Sequence, residues 1–87
     1  GFGTLEEVVE VLTWQQLGLH QFPIAFLNVN GYYDHLRNLF NHMEAAQLLK
    51  TENRNMALFA DVVSDALVQM KSYQAVNVEK WIKKSTV

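Results

Sequence analysis

Two short apolar runs, each lying between two helical patterns, constrain the fold of this 87-residue chain more than any other feature. The runs occupy residues 24–29 and 56–60, and both are apolar on each face, which is typical of buried parallel strands. Apolar residues recur at helical spacing over about 4–17, again after the first run through to about residue 49, and over about 62–73. The order helix, strand, helix, strand, helix predicts an α/β protein with helices packed on a parallel sheet.

The connections between these elements carry ordinary turn and loop chemistry. Gly18 is expected to end the first helix, and Pro23 leads into the first apolar run. Asn30 and Gly31 form a turn dipeptide before the second helix. Residues 50–55 are predicted to form a polar loop.

Two strands are too few for a parallel sheet, which needs several neighbours and cover on both faces. The pattern therefore predicts that residues 1–73 are the C-terminal half of one doubly wound, Rossmann-like domain whose first half is absent. Residues 74–87 are expected to form a C-terminal tail with one short helical turn at about 79–83. Because a chain of this size buries only about 60–65% of its unfolded surface, we expect it to be poorly stable alone or to lean on a partner segment.

Composition excludes several classes of partner. The formal charge is −2, and the seven lysines and arginines are scattered except for Lys80, Lys83 and Lys84, so a nucleic-acid polymer is not an expected partner. No apolar stretch approaches the roughly 20 residues that span a bilayer, so no membrane partner is expected either. The absence of cysteine excludes thiolate catalysis and sulfur-based zinc sites, and it fits a reducing, cytoplasmic location.

Histidine spacing gives no support for a metal site. His35 and His42 are seven residues apart on one predicted helix, beyond the i, i+4 spacing at which two imidazoles share an ion. The third histidine, His20, lies in a predicted connection. We therefore predict no metal and no metal-dependent chemistry.

The opening segment has two interpretations. Gly1, Gly3 and Thr4 at the start of a helix could cradle an anion, because glycines let backbone N–H groups approach a phosphate. Alternatively, Thr4 is the N-cap and Glu7, three residues later, completes a capping box. Spacing alone favours the capping box, and Glu6 is explained by the helix dipole.

Three segments, in order, resemble the motifs of one known family. Residues 1–7, GFGTLEE, are similar to the last seven positions of PGGxGTxxE; residues 13–20, TWQQLGLH, to TWxQLGxH; and residues 27–34, LNVNGYYD, to LNVxGYYD. The chain thus resembles the Lonely Guy family of cytokinin-activating phosphoribohydrolases, formerly labelled possible lysine decarboxylases. Beyond about residue 40 only the pattern of loop, strand and helix matches. No lysine lies in a strand-end or pocket-like context suited to a pyridoxal phosphate Schiff base, so the sequence does not support the decarboxylase label.

The resemblance implies hydrolysis of the N-glycosidic bond of N6-modified adenosine 5'-monophosphates, releasing free base and ribose 5-phosphate without a cofactor. By motif position, Glu7 is the catalytic carboxylate, and Gly1, Gly3 and Thr4 bind the 5'-phosphate. The resemblance also implies a homodimer with sites near the subunit boundary, in which the helix ending in Trp14 and Gln16 could form part of the interface.

The chain departs from the family in what it lacks. The leading Pro and Gly of the first motif are missing, as is the upstream half, which in the family supplies an arginine that works with the motif glutamate. Arg37 and Arg54, expected on an outer helix face and in a polar loop, are not assigned that role. We therefore expect the isolated chain to be inactive. Two other classes stay open: a non-catalytic nucleotide- or cofactor-binding module of the same fold, and a structural domain that dimerises through its apolar helices.

Overall fold

The computed structural model describes residues 1–73, which form a small α/β unit. Its elements are helix α1 (Phe2–Gln16), strand β1 (Ile24–Leu27), a 3₁₀ turn (Val29–Gly31), helix α2 (Asp34–Ala45), helix α3 (Thr51–Arg54) and strand β2 (Ala57–Ala60). A fourth helix, α4, follows at 63–73. The α/β prediction is confirmed, while the predicted tail at 74–87 lies outside the described residues. None of the described helices is long and apolar enough to cross a bilayer.

The two strands pair in parallel, as the apolar runs predict. Ile24 lies opposite Ala57, and Phe26 lies opposite Phe59. The first strand ends at Leu27 rather than at residue 29, because the backbone turns there into the 3₁₀ segment. The crossover between the strands contains α2 and α3, which is the arrangement expected for a parallel pair.

The core is a cluster of aromatic rings on one face of the sheet. Phe26 stacks on Phe59 with ring centroids 4.8 Å apart, and it meets Phe40 of α2 edge-on at 6.3 Å. Val8 and Leu12 of α1 pack against the same cluster. Both α1 and α2 therefore cover the face that carries Phe26, and burial of these rings supplies the main apolar stabilisation of the described unit.

The helix ends show what a sequence pattern does and does not reveal. At the end of α1, Gly18 adopts φ = 80° and its N–H donates to Gln15 O, as the glycine predicts. The prediction that the second helix reaches about residue 49 is wrong. Helix α2 ends at Ala45, since Gln47 adopts φ = 65° and the next N–H, that of Leu48, donates back to Met43 O. A non-glycine residue in this conformation leaves little trace in sequence.

The prediction of a polar loop at 50–55 is also wrong. Residues Thr51–Arg54 form the short helix α3, so Arg54 is a helical residue rather than a loop residue. Its Nε donates to Asn41 Oδ1 at 2.7 Å, and its guanidinium lies 5.5 Å from the centre of the Phe59 ring. These tertiary contacts stabilise a segment whose local sequence is too short to form a helix alone.

His20 fixes the connection between α1 and β1. The backbone N–H of Phe22 donates to His20 Nδ1 at 3.2 Å, so the ring proton lies on Nε2, which donates to Val11 O at 2.9 Å. Both ring nitrogens are therefore used within the fold, which accounts for the histidine that ends the second motif segment.

Candidate functional site

The N-terminus of α1 presents unpaired backbone donors. The first intrahelical bond runs from the Leu5 N–H to Gly1 O at 3.2 Å, so the N–H groups of Phe2, Gly3 and Thr4 have no acceptor within the helix. Gly1 is the N-cap residue, and no side chain caps this end. Three free donors together with about half a positive charge from the helix dipole form an arrangement that can hold an anion.

The capping-box prediction for Thr4 and Glu7 is wrong. The helix begins at Phe2, which makes Thr4 its third residue, and neither side chain bonds to the N-terminal backbone. Because Thr4 lies within the first turn, its hydroxyl is past the position from which an N-cap oxygen accepts a backbone N–H. Thr4 and Glu7 are both exposed. The structure thus removes the explanation that competed with the anion cradle, although Gly3 is helical rather than part of a turn.

Helical spacing relates Glu7 to the two residues above it. Glu7 follows Thr4 by three positions and Gly3 by four, so all three lie on the same side of the first two turns. Glu6 lies about 100° further round the axis and cannot face the same ligand. A carboxylate one turn below a set of free N–H donors can contact the sugar of a nucleotide whose phosphate binds those donors.

A cleft of about 350 Å³ opens beside the same helix end. Its lining is mainly apolar and comprises Gly1, Phe2, Thr4, Leu5, Val8, Phe26, Tyr32, Tyr33 and Leu36. Two of the predicted phosphate-binding residues, Gly1 and Thr4, thus lie on the cleft wall, whereas Gly3 and Glu7 do not line it. The structure brings the helix N-terminus together with the segment that follows β1, which is where ligands bind in open parallel sheets.

A buried amide at the end of β1 organises the opposite wall of this cleft. Asn28 is only 2% exposed. Its Nδ2 donates to Asp34 Oδ1 at 2.8 Å, and its Oδ1 accepts the backbone N–H of Tyr33 at 2.6 Å. Arg37 Nη2 also donates to Asp34 Oδ1, at 3.0 Å. These bonds hold the Tyr33 backbone, and with it the adjacent Tyr32, beside the cleft.

Asn28 was not singled out as a site residue by sequence reasoning, although a signal was present. An amide inside an otherwise apolar run is costly to bury unless it is fully hydrogen-bonded, so its presence indicates a specific set of partners. The partners themselves lie five and six residues further on, past a turn, and only the folded backbone brings them together.

The 3₁₀ turn between Asn28 and Asp34 depends on glycine. Gly31 has φ = 69°, and a Cβ placed there would lie 2.5 Å from Asp34 Oδ2. We expect Gly31→Ala to lower the free energy of unfolding by about 1–3 kcal/mol, from backbone strain and displacement of the Asp34 carboxylate. Urea denaturation of the complete protein measures this loss. Gly3→Ala is the matched control, because a Cβ at Gly3 meets nothing within 4 Å; equal losses in both variants would contradict the assignment.

Both arginines of the chain make intramolecular contacts. Arg37 pairs with Asp34 on the neighbouring turn of α2. Arg54 lies over two aromatic rings, and its burial lowers the pKa of the guanidinium, partly offset by the nearby Glu44. Neither lines the cleft beside α1.

The fold and the cleft define an α/β unit with an open helix N-terminus at the carboxyl end of a parallel sheet, a class that binds anionic ligands at that edge. The chain belongs to the family described as possible lysine decarboxylases, whose model matches residues 1–70. The match confirms the family suggested by the three motif segments, and it extends about thirty residues beyond them.

Named relatives are plant enzymes. The probable cytokinin riboside 5'-monophosphate phosphoribohydrolase LOGL1 of Oryza sativa subsp. japonica is 41% identical over 73 residues, covering 84% of this chain and 33% of the relative. LOG5 and LOG4 of Arabidopsis thaliana, both cytokinin riboside 5'-monophosphate phosphoribohydrolases, are 35% and 36% identical, covering 88% and 84% of this chain and 34% of each relative. The chain spans about a third of the length of these relatives.

Proposed function

We propose that the complete protein hydrolyses the N-glycosidic bond of N6-modified adenosine 5'-monophosphates, releasing free base and ribose 5-phosphate. The observation that carries this proposal is the uncapped N-terminus of α1, which bears the motif residues of phosphoribohydrolase relatives and leaves Thr4 and Glu7 exposed. The decarboxylase description of the family model has no support in the described residues: Lys50 and Lys71 are both exposed and neither lines the cleft beside α1.

In the proposed complex, the 5'-phosphate is bound by the free N–H groups at the start of α1, with Gly1 at the cap position and the Thr4 hydroxyl as a further donor. Glu7 then lies one helical turn below, at the level of the ribose. As the bond between C1' and the base breaks, positive charge develops on the sugar, and the carboxylate stabilises it and orients the attacking water. Water adds its oxygen to C1', and the departing base gains a proton.

The remaining parts of the proposal concern the complete protein. Residues 1–73 form the C-terminal half of a doubly wound domain, and the other half supplies the arginine that accompanies Glu7 in the family. Exposed apolar side chains on α1, Leu5, Val9 and Trp14 among them, support a homodimer in which this helix contributes to the interface. A cytoplasmic location is proposed from the lack of cysteine.

Gly3 offers a test of phosphate binding that is separate from stability. Gly3 lies in the first turn of α1, where alanine would be preferred, and an added Cβ meets no atom within 4 Å. We expect Gly3→Ala to leave the unfolding free energy unchanged or raised by up to about 1 kcal/mol, while KM for the nucleotide rises because the methyl group blocks approach of the phosphate. Steady-state kinetics and urea denaturation on the same variant separate the two effects; an unchanged KM would remove Gly3 from the site.

The proposed activity is tested by release of free base from isopentenyladenosine 5'-monophosphate by the complete protein, with AMP as the unmodified comparison. Release of the base with ribose 5-phosphate as the second product supports the hydrolase. Binding of both nucleotides without release would favour the non-catalytic binding module. If neither nucleotide binds, the structural interaction domain becomes the better interpretation.

A further inference from the structure

The outer edge of β2 is closed by side chains. The Asn28 N–H donates to Ala60 O at 2.7 Å, so the Ala60 peptide faces β1. Peptide groups alternate in direction along a strand, which turns the carbonyls of Ala57 and Phe59 toward the opposite, outer edge. Arg54 Nη1 donates to Ala57 O at 3.1 Å, and Gln69 Nε2 donates to Phe59 O at 3.0 Å.

These two caps come from different helices and are themselves held in place. Arg54, from α3, is fixed by its bond to Asn41 and by the ring of Phe59 beneath it. Gln69, from α4, also donates to Asp65 Oδ2 at 3.0 Å. Two outward carbonyls of β2 are thus satisfied within the unit, which is how proteins prevent a strand edge from pairing further.

The outer edge of β1 is different. By the same alternation, the peptide groups of Ala25 and Leu27 point away from β2, and no side chain of residues 1–73 caps them in the manner of Arg54 and Gln69. Leu27 is an apolar strand residue that is nevertheless 41% exposed. Unpaired strand groups beside exposed apolar side chains characterise an edge that accepts another strand.

We infer that β2 is the terminal strand of the sheet in the complete protein, and that the outer edge of β1 binds one further parallel strand from the remainder of the same polypeptide. The relatives are about three times as long as this chain, so that remainder is available. The N-terminus of α1 lies at the carboxyl end of β1, where both line one cleft with Tyr32. A strand running into α1 on the β1 side would complete a right-handed βαβ unit. This inference goes beyond the proposed function and does not depend on catalysis.

Residue-resolved amide hydrogen exchange on the complete protein tests the inference without any substitution. We expect the N–H groups of Ala25 and Leu27 to exchange slowly, on the order of 100-fold more slowly than those of Ala57 and Phe59. The internal control is the Asn28 N–H, which is bonded between the two strands and should be protected in any case. The readout is independent of hydrolysis, so an inactive protein with this exchange pattern would reject the proposed function alone.

Three outcomes would overturn the inference. The first is equal or greater protection at Ala57 and Phe59, which would show a strand paired outside β2. The second is rapid exchange at Ala25 and Leu27, which would leave the β1 edge free. The third is protection at Ala25 and Leu27 that disappears on dilution, because the added strand would then come from a second copy.

The closed edge is tested separately by removing both caps. We expect the double variant Arg54→Ala, Gln69→Ala to self-associate at concentrations where the wild-type complete protein keeps its native sedimentation, because the carbonyls of β2 become available for pairing. The matched control is Gln47→Ala, Lys71→Ala, which removes an amide and a cation from exposed positions. Sedimentation of the capless variant identical to that of wild type would show that these side chains do not close the edge.

Discussion

Replacing Glu7 with Gln in the complete protein is expected to lower kcat on the order of 10²–10³-fold while changing nucleotide affinity by less than about tenfold. The substitution keeps the size of the side chain and removes its charge. If the carboxylate acts on the positive charge that develops at C1', its contribution appears in the transition state and hardly in the bound substrate. Glu7 is exposed and makes no capping bond, so the change should not disturb α1.

Glu6→Gln is the matched control for this prediction. Glu6 is adjacent in sequence, equally exposed and close to the same helix end, but it points about 100° away around the axis. Its effect on kcat should therefore be small. Base release, followed for both variants with the same substrate, separates a specific carboxylate from a general loss of negative charge. Full turnover by the Glu7 variant would reject its catalytic assignment and leave the helix N-terminus as a binding site only.

Replacing Asn28 with Ala is expected to lower the free energy of unfolding of the complete protein by about 2–4 kcal/mol. The side chain is buried and fills both its donor and acceptor roles, toward Asp34 and the Tyr33 backbone. Its removal strands a buried N–H and one partner of a carboxylate. Urea denaturation measures the loss, and Asn38→Ala, on the exposed face of α2, is the control that should change stability little.

Asn28→Asp identifies the cause of that loss. Aspartate keeps an oxygen for the Tyr33 N–H but replaces the donor to Asp34 with a second carboxylate about 3 Å away, so repulsion is added to the lost bond. We expect this variant to be at least as destabilised as Asn28→Ala at neutral pH and to recover in part as the pH falls and one carboxylate is protonated. Equal stability of wild type and both variants would mean that the amide does not organise the end of β1.

Several features of the chain followed from local sequence alone. The two apolar runs became parallel strands, because residues apolar on both faces are stable only where both faces are covered. Gly18 marked the end of α1, because glycine adopts a positive φ with little strain. The motif segments identified the family that the comparisons confirm.

Other features depended on partners distant in sequence. Helix α1 begins at Phe2 rather than Thr4, which removed the predicted capping box and left Thr4 and Glu7 exposed. Helix α3 forms where a loop was expected, held by the contacts of Arg54 with α2 and β2. Local spacing cannot decide between alternatives of similar energy, and tertiary contacts worth a few kcal/mol then determine the result.

The sequence by itself therefore determined the order of the elements, their helical or extended type, and the family, since all three are encoded by residues close together along the chain. The tertiary structure alone decided which side chains share the cleft beside α1, how Asn28 is paired, and that the caps on β2 leave β1 as the open edge. The physical reason is the range of the interactions. Periodicity and turn chemistry act within a few residues, whereas burial and hydrogen bonding between elements become defined only when the folded backbone brings distant groups within about 3 Å.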